Sequence, residues 1–435
     1  MFPFRIIIVL ISALISSSVF ARGLTVLPHC EDPERLPAQA AEQARLSTQY
    51  PCASIVQFWP ASSNGDIAEL LNHGAATTRL TLNDNVRSIA ISSNRSYRTV
   101  RDSDLVFDIY PDRIVHGFPK PDNTGKPDKE NNTSSEELPA GVSRVNGGHF
   151  SGSGIAIVDT GVADDTADLN RNNACHDSFL SASDPARCLD GNGHGTHVAG
   201  TAAAIDNDTG VVGVAPNTEV FAVRVLNNSG SGNDSTIIAG LQWVLAHHNA
   251  LDIEVINMSL GREGTVGDSP VYESAVADLI SAGLTVVVAA GNDPSLEVKD
   301  NVPANYPGVI AVASTTAIDG KNQGCRHYSG IIPADTASYF TTDGTAVSIS
   351  APGSARENIS KNCRIRAEGI LSLSPGGGTA RMSGTSMAAP HVAAAAALGV
   401  DLSTARDNVG SAPLPSPTNS YSYDGTQEGI LRLAD

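Results

Sequence analysis

Residues 151–170 read SGSGIAIVDTGVADDTADLN, and this stretch indicates how the chain folds. At its centre a short apolar run, Ile155 to Val158, leads directly into Asp159-Thr160-Gly161. A brief apolar run bounded by glycine and by turn-forming residues is typical of a buried β-strand. The stretch therefore predicts a strand that ends in an aspartate, and Asp159 is the first candidate functional residue.

Similar apolar runs recur after residue 141, and helical patterns separate them. Residues 234–249 start with an Asp and a Ser that could cap a helix, and apolar residues then recur at helical spacing; residues 270–282 are similar. Buried strands that alternate with helices predict an α/β fold, a mainly parallel sheet with helices on both faces. The other predicted strands are 220–226, 253–260, 285–291 and 309–314.

The main domain is predicted to span residues 141–435, and three further segments are predicted ahead of it. Residues 1–21 have a positive start, an apolar core and small residues near their end, which is typical of a secretory signal peptide cleaved after Ala21. Residues 22–118 predict a small α+β unit, and residues 119–140, rich in Pro, Asn, Asp, Glu and Lys, predict an exposed linker. In the α+β unit we expect strands at 53–59, 86–92 and 105–113 and a helix at 66–74.

The chain of 435 residues carries a formal net charge of −18. Binding to nucleic acid requires a basic face, so this composition argues against a nucleic-acid partner. The negative charge favours solubility. The apolar core of the leader is too short for a membrane span and no later apolar stretch reaches that length, so we expect a secreted, soluble protein without a membrane partner.

Six cysteines are present, and export would place them in an oxidising compartment where disulfides form. Six cysteines allow fifteen pairings, and we expect neighbours along the chain to pair. No Cys-x-x-Cys or His-rich spacing indicates a zinc site. The expected pairs are Cys30–Cys52, Cys175–Cys188 and Cys325–Cys363.

The sequence Asp159-Thr160-Gly161 is compatible with two hydrolytic chemistries. Aspartic proteases use two Asp-Thr/Ser-Gly elements in β-rich lobes, and a second Asp-Thr-Gly does occur at 208–210. That copy follows the end of a predicted helix, and the chain around it is α/β, which argues against the aspartic chemistry. A serine hydrolase instead requires a histidine and a serine as partners of the aspartate.

Two glycine-containing segments contain a histidine and a serine that could be the partners of Asp159. Residues 190–203, DGNGHGTHVAGTAA, contain His194, and residues 384–397, GTSMAAPHVAAAAA, contain Ser386 at the start of an alanine-rich helix. Glycine ahead of each allows a sharp turn that exposes the side chain. VDTGV, HGTHVAG and GTSMAAPHV resemble the three signature motifs of the subtilisin-like serine proteases, or subtilases, in that family's order Asp, His, Ser. The resemblance covers roughly residues 137–395.

The resemblance implies a serine endopeptidase that needs no cofactor for its chemistry. A serine hydroxyl is a weak nucleophile, so His194 would take the proton of Ser386, and Asp159 would hold the imidazole in the useful tautomer. The N–H of Ser386, at a helix N-terminus, would face the developing oxyanion. Asn292, in VVVAAGNDP (286–294), resembles the family's second oxyanion donor.

Two further segments resemble the substrate-binding parts of the family. An extended peptide would add as a strand beside NMSLG (257–261), and small residues after the strand that precedes Asn292 would leave space for a large apolar side chain. We therefore expect protein or peptide substrates and a broad or apolar-preferring specificity. The residues concerned are Ser259, Leu260 and Gly261 at the edge and Ala289, Ala290 and Gly291 in the pocket.

A structural calcium site is also implied, with a polar loop that binds nothing as the alternative. Asp168 lies nine residues after Asp159, and Asn207 lies thirteen after His194; both spacings resemble the calcium site of subtilisins. Backbone carbonyls would complete a shell of oxygen ligands, which calcium prefers. These would be the carbonyls of Ile205, Thr209 and Val211.

The resemblance also gives residues 22–118 a role, because subtilases are usually made with an N-terminal propeptide that assists folding and blocks the cleft. IYPDRIVHGF (109–118) resembles the propeptide tail that occupies the active site, so we expect a monomer inhibited by its own propeptide. Cleavage after Phe118 would suit an apolar pocket, but Pro119 disfavours it. Cleavage later in the linker, up to about Leu138, is equally open.

Two other functions are compatible with the predicted fold. A binding protein would lack a triad or oxyanion residue, and none is missing. A processing protease specific for precursors would carry acidic residues in its pockets and a large C-terminal sandwich domain, whereas the residues after the Ser386 helix are few and rich in Ser, Pro and Asn. Both are therefore less favoured than a broad endopeptidase.

Overall fold

The N-terminal unit is an antiparallel sheet of strand order β2-β3-β1-β4 with an accompanying helix, α1. The computed structural model of the chain describes residues 54–58, 64–72, 77–82, 87–91, 100, 103–118, 129–130, 136–403, 406–407 and 429–434. The elements of the N-terminal unit are β1 (Ser54–Phe58), α1 (Asn64–Asn72), β2 (Thr77–Leu82), β3 (Arg87–Ile91) and β4 (Val106–Pro111).

This unit has a hydrophobic core of its own, in which Phe58, Ile67 and Ile109 are buried. Strands β1, β3 and β4 and helix α1 lie within two residues of their predicted bounds. Strand β2, TTRLTL, was not predicted, because only Leu80 and Leu82 of its six residues are apolar. The predicted signal peptide and the predicted Cys30–Cys52 pair lie outside the described residues.

The remaining elements follow from residue 114 onward. The helices are α2 (Ala140–Arg144), α3 (His194–Ala203), α4 (Asp234–Leu251), α5 (Pro270–Ser281) and α6 (Thr385–Ala397). The strands are β5 (Ile114–Gly117), β6 (Lys129–Glu130), β7 (Gly154–Asp159), β8 (His176–Asp177), β9 (Val220–Arg224), β10 (Ser231–Asn233), β11 (Ile253–Met258), β12 (Leu260–Glu263), β13 (Thr285–Ala289), β14 (Asn301–Val302), β15 (Ile310–Thr316), β16 (Ile349–Ser354), β17 (Arg356–Ile359), β18 (Ile365–Glu368), β19 (Ile370–Ser374), β20 (Gly378–Met382), β21 (Arg406–Asp407) and β22 (Ile430–Leu431).

A nine-stranded sheet of order β21-β22-β16-β15-β13-β11-β7-β9-β8 forms the centre of the main domain. All neighbouring strands pair in parallel except β21 and β22 at one edge. Parallel strands joined by helices are buried on both faces, which explains the continuous apolar runs of the sequence. The carboxyl ends of the central strands therefore lie along one edge of the sheet, where Asp159 ends β7.

Helices cover both faces of this sheet, so the predicted α/β architecture is confirmed. Along β7, Ile155 and Ile157 point into the core that contains helices α3 and α6, whereas Ala156 and Val158 point into the core that contains α4 and α5. This alternation is the period-two geometry of a strand. None of the helices in the described part of the chain has the length and apolar composition that crossing a bilayer requires.

The N-terminal end of helix α4 differs from its prediction. Asn233, not Asp234 or Ser235, is the capping residue, and it forms a reciprocal capping box with Thr236. The side chains of Asp234 and Ser235 make other contacts instead: Asp234 pairs with Arg262, and Ser235 binds Asp112 of the N-terminal unit.

A small antiparallel sheet joins the N-terminal unit to the main domain. Strand β5 lies between β10 and β12 and pairs with both, and β14 extends the sheet beyond β12. The last strand of residues 22–118 therefore occupies a position among strands of the main domain.

Two of the expected disulfides are confirmed by the structure, Cys175–Cys188 and Cys325–Cys363. The first encloses a loop close to the end of β7, since the carbonyl of Cys188 accepts a hydrogen bond from Val162 N at 3.1 Å. The predicted linker is described only at residues 129–130 and from residue 136 onward. There it is bound to the main domain: β6 pairs with β20, and Glu137 N donates to Gly210 O at 3.0 Å.

Candidate active site

Three elements of the main domain bring the candidate residues together. Asp159 is the last residue of β7, His194 is the first residue of α3, and Ser386 is the second residue of α6. Helices α3 and α6 pack against each other on the same face of the sheet. His194 bonds to Asp159 at the end of β7, and Ser386 bonds to Ser259 directly after the neighbouring strand β11, so both helix N-termini lie at the carboxyl edge of the central strands.

The side chains of Asp159 and His194 are joined by hydrogen bonds. His194 Nδ1 lies 2.8 Å from Asp159 Oδ1 and 2.9 Å from Oδ2. Asp159 is fully buried, and Thr160 N donates to its Oδ1 at 2.7 Å. Burial by itself lowers the pKa of His194, but the charge and hydrogen bond of Asp159, with the charge of Asp190, raise it above 6.5. The carboxylate thus favours a proton on Nδ1 and a more basic ring.

Asp190 builds the turn that presents His194, and the sequence reasoning missed it. Its Oδ1 accepts from Gly193 N at 2.8 Å and from Thr160 Oγ1 at 2.9 Å, and its Oδ2 accepts from Thr196 N at 2.8 Å. Asp190 therefore connects the end of β7 to the start of α3. An aspartate four residues before the histidine, in a segment with glycines, was the available signal, because aspartate readily binds nearby backbone N–H groups.

Ser386 lies in the first turn of α6 with its side chain buried. The preceding Gly384 has a φ of +152°, a value that side chains disfavour, and this turn places Ser386 at the helix start. Ser386 Oγ donates to Ser259 O at 3.3 Å. Among the described residues, the buried Nε2 atom of His194 has no hydrogen-bond partner.

Asn292 is held against the start of helix α6. Its Oδ1 accepts hydrogen bonds from Thr385 N at 2.9 Å and from Thr385 Oγ1 at 3.0 Å. Because Oδ1 faces Thr385, the donor atom Nδ2 lies toward Gly384, 2.9 Å from where a Cβ on that glycine would stand. Two donors, the Nδ2 of Asn292 and the backbone N–H of Ser386, are thus presented by neighbouring segments.

Strand β5 occupies the edge that was expected to bind an extended peptide. It pairs antiparallel with β12, with Leu260 opposite Gly117 and Gly261 opposite His116, while β10 pairs on its other side. Gly117 lies next to the imidazole: a Cβ on this glycine would stand 3.6 Å from His194 Nδ1. The chain therefore runs along the edge and passes the histidine.

Phe118 follows β5 and packs against Gly261 of the predicted substrate-binding edge. A Cβ on Gly261 would stand only 2.5 Å from Phe118 Cζ, so glycine at this position makes room for the ring. Ala289 and Ala290 are buried, and Asn301 Nδ2 donates to Ala290 O at 3.2 Å. Gly291, with a φ of +118°, places the chain that leads to Asn292.

Comparison with known proteins agrees with this geometry. A sequence model described as the subtilase family (peptidase S8) matches residues 151–405, more than half of the chain. The chain belongs to the subtilase family. It is 40% identical to subtilisin DY of Bacillus licheniformis over 246 residues, which cover 56% of this chain and 75% of that protein. It is 36% identical to a subtilisin of Bacillus pumilus over 274 residues, 61% of this chain and 85% of that protein.

A solved structure supports the same assignment. The crystal structure of a cold-adapted subtilisin-like serine proteinase matches with a TM-score of 0.52 and 28% sequence identity, covering 68% of this chain and 99% of that one. This subtilase is accordingly a subtilisin-like serine endopeptidase, and its fold is the subtilisin-like α/β fold.

The loop predicted to bind calcium lies on the side of the subtilase that carries residues 136–137. Asn207 Nδ2 donates to Asp168 Oδ1 at 3.1 Å, and Val211 N donates to Asp168 Oδ2 at 3.1 Å. Burial raises the pKa of Asp168 to about 6, and the negative charge of Glu136 contributes. In the part of the chain that the structure describes, no group of three or more His, Cys, Asp or Glu side chains is arranged to hold a metal.

This loop nevertheless fits a cation with oxygen ligands. Glu136 Oε1 accepts from Asn207 N at 2.7 Å, and burial and the charges of Asp206 and Asp208 raise the pKa of Glu136. Several carboxylates are thus crowded at a position where a cation would relieve their repulsion. One adjustment is required: the oxygen of the Asn207 amide, which accepts from Thr209 N at 3.1 Å, would have to turn toward the ion.

Proposed function

We propose that this subtilase is a secreted endopeptidase, made as a zymogen, in which Asp159, His194 and Ser386 form the catalytic triad. The observation that carries the proposal is the pair of hydrogen bonds between His194 Nδ1 and Asp159, at 2.8 and 2.9 Å, at the buried N-terminus of the Ser386 helix. This arrangement leaves Nε2 as the ring atom that can accept a proton. A base oriented by a carboxylate beside a buried serine is the requirement of nucleophilic catalysis.

The first step of the proposed mechanism activates Ser386. Its Oγ donates to Ser259 O at 3.3 Å, a long hydrogen bond, and activation would require the side chain to rotate and donate to His194 Nε2 instead. Oγ then attacks the carbonyl carbon of the peptide bond while its proton moves to Nε2. His194 returns that proton to the leaving amine, and water hydrolyses the acyl-enzyme by the same route.

Two donors would stabilise the negative oxygen that develops during each attack. The N–H of Ser386 belongs to the first turn of α6 and has no acceptor within the helix. The Nδ2 of Asn292 is held by the two hydrogen bonds from Thr385 to Oδ1. Donors fixed before the reaction need no reorganisation when the charge forms, which is why they accelerate it.

Residues 22–118 would serve as an inhibitory propeptide. The support is the position of β5, which fills the gap between β10 and β12 and brings Gly117 beside His194. A substrate would bind in the same way, as an added strand with main-chain hydrogen bonds. In this arrangement Phe118 takes the place of the residue before the scissile bond, so cleavage after Phe118 is favoured, with a later cut in the linker as the alternative.

The specificity would be broad, with a preference for large apolar side chains before the scissile bond. Phe118 packs against Gly261 and against the hydrophobic cluster that contains the small residue Ala289. We further propose export through the 1–21 leader and action as a monomer on protein or peptide substrates. The confirmed disulfides are consistent with export, because such bonds persist in oxidising compartments.

The triad assignment predicts that a fluorophosphonate probe labels the purified, processed protein at Ser386. His194→Ala, whose propeptide is removed in trans by an added protease, lacks the base that activates the serine, so labelling should fall to background, whereas His247→Ala, which changes an exposed histidine of α4, should leave it unchanged. Mass spectrometry of the labelled peptide identifies the modified residue. A folded, processed chain that takes no label would contradict the triad and favour the binding-protein function.

We also propose that Asp168 and Asn207, with the carbonyls of Ile205, Thr209 and Val211, hold a structural calcium ion. The ion would stabilise the loop and play no part in the chemistry. Saturating calcium should therefore raise the thermal unfolding midpoint by about 5 °C or more relative to EDTA.

Two variants make the calcium prediction specific. Asp168→Asn should remove the calcium-dependent shift, while Asp164→Asn, which neutralises an exposed aspartate nearby, should keep it. The measurement is thermal unfolding of the processed enzyme, inhibited to prevent self-digestion. Equal midpoints in calcium and in EDTA would show that the loop is held by its hydrogen bonds alone.

A further inference from the structure

A cluster of charged side chains lies beyond the edge at which β5 binds, centred on Arg262 of β12. Arg262 makes two bonds to Asp234, Nε to Oδ1 at 2.9 Å and Nη2 to Oδ2 at 2.8 Å. It makes two more to Asp268, Nη1 to Oδ2 at 2.8 Å and Nη2 to Oδ1 at 3.1 Å. One guanidinium therefore serves two carboxylates, and the three groups together carry one excess negative charge.

The segment before β5 supplies the missing positive charge. Arg113 Nη1 forms an ion pair with Asp268 Oδ2 and also lies 3.4 Å from Asp268 O. The Asp268 side chain is only 15% exposed, so this pair is partly shielded from water and is screened less than a surface pair. The main chain is anchored there too, since Asp234 N donates to Arg113 O at 2.9 Å.

A further contact fixes the residue before Arg113. Asp112 is buried, and its carboxylate accepts from Ser235 N at 2.8 Å and from Ser235 Oγ at 2.6 Å. The chain thus remains bound to the main domain from Phe118 back to Asp112. Such continuous contact means that the side chain at position 113 is brought to Asp268 in a defined register with the active site.

We propose that Asp268, oriented by Arg262, forms an extended subsite that accepts an arginine or lysine at the sixth residue on the N-terminal side of the scissile bond. This position is counted from the scissile bond toward the N-terminus and rests on the proposed function, in which Phe118 occupies the first position and Arg113 the sixth. After the propeptide leaves, Asp268 keeps its place on the main domain while its second cationic partner is gone. A substrate with a basic residue at that position restores charge balance, and an acidic one adds a third negative charge.

The test uses the processed enzyme and internally quenched peptides that share the sequence Ile-Val-His-Gly-Phe-Ser across the scissile bond. The residue before isoleucine is Arg, citrulline, Ala or Glu. We expect kcat/KM for the Arg peptide to exceed that for the citrulline and Ala peptides by about three- to tenfold, with the Glu peptide slowest. The difference should lie mainly in KM, because the contact is the same in the ground and transition states.

Citrulline keeps the shape of arginine without its charge, so this comparison does not depend on an altered enzyme. Asp268→Asn should abolish the preference for the Arg peptide. The control Glu254→Gln, which removes an exposed carboxylate at the start of β11, should keep that preference. High salt should reduce the preference of the unmodified enzyme.

The outcomes separate this subsite from the proposed function. Equal kcat/KM for all four peptides would overturn the subsite while the protease assignment stands. A preference that persists in Asp268→Asn would place the recognition on another residue, which also overturns it. Failure to cleave any of the peptides after phenylalanine would instead contradict the docking register on which the proposed function rests.

Discussion

Replacing Ser386 with alanine is expected to lower kcat by about 10⁶-fold, the loss that follows removal of the nucleophile in subtilisin itself. The hydroxyl oxygen is the atom that forms the acyl-enzyme, and its hydrogen-bond acceptor, the carbonyl of Ser259 at 3.3 Å, is no nucleophile. The residual rate would come from the oxyanion donors and from substrate binding. Steady-state hydrolysis of a peptide substrate measures the change, once the propeptide of the variant has been removed in trans by an added protease.

The same variant also tests whether the propeptide is removed by the enzyme itself. Because β5 and Phe118 already lie in the cleft, loss of the nucleophile should leave the precursor uncut, visible as a single longer chain on a gel. Ser383→Ala, in a buried serine of the same segment, should mature normally. A Ser386→Ala precursor that matures when expressed alone would assign processing to another protease, and full activity would exclude Ser386 as the nucleophile.

The sequence predicted the parts of the fold that are governed by local pattern. Strands β7, β9, β11, β13 and β15 were recognisable because both of their faces are buried, so their apolar runs are continuous. Helices α4 and α5 were recognisable from the spacing of their apolar residues, whereas the short helix α2 was not predicted. The hairpins β17–β18 and β19–β20 were not, because their strands are only four or five residues long, too short for a pattern to stand out.

The residues of the candidate site likewise fall into those that the sequence pattern predicted and those that it did not. Asp159, His194 and Ser386 stand in segments whose glycines shape the turns, so they could be selected from the sequence before any distance was known. Asp190 was missed although its position four residues before His194 offered a local signal, whereas Asp268 could not be assigned a role, because its role depends on contacts with distant parts of the chain. The pair of Arg113 and Asp268, for example, joins residues 155 positions apart. Pairs of this kind are set by the tertiary fold.

Replacing Asp159 with asparagine should lower kcat by about 10⁴-fold at neutral pH while leaving the fold intact. Asparagine keeps the shape of the buried side chain and can still accept from Thr160 N, which donates at 2.7 Å to the aspartate. What is lost is the negative charge that orients the imidazole through Nδ1–H and stabilises it once it is protonated. The base then adopts the wrong tautomer in most molecules.

The pH profile gives this variant a second, independent signature. His194 acts as a base only when it is neutral, so activity falls as the pH drops through its pKa. Asp159 raises that pKa above 6.5, which places the acidic limb of kcat/KM for the unmodified enzyme above 6.5. Without the carboxylate, burial dominates and lowers the pKa, so the acidic limb of Asp159→Asn should move to lower pH.

The measurement is kcat/KM of processed enzyme from about pH 5 to about pH 10, with Asp164→Asn as a control that removes an exposed charge five residues away. The control should keep the rate and the acidic limb of the unmodified enzyme. If Asp159→Asn lost rate but kept the acidic limb of the unmodified enzyme, Asp159 would position the His194 ring without setting its basicity. A limb that moves without a rate loss would mean that the orientation of His194 is set by Asp190 and the turn it builds, and that Asp159 is not the triad carboxylate.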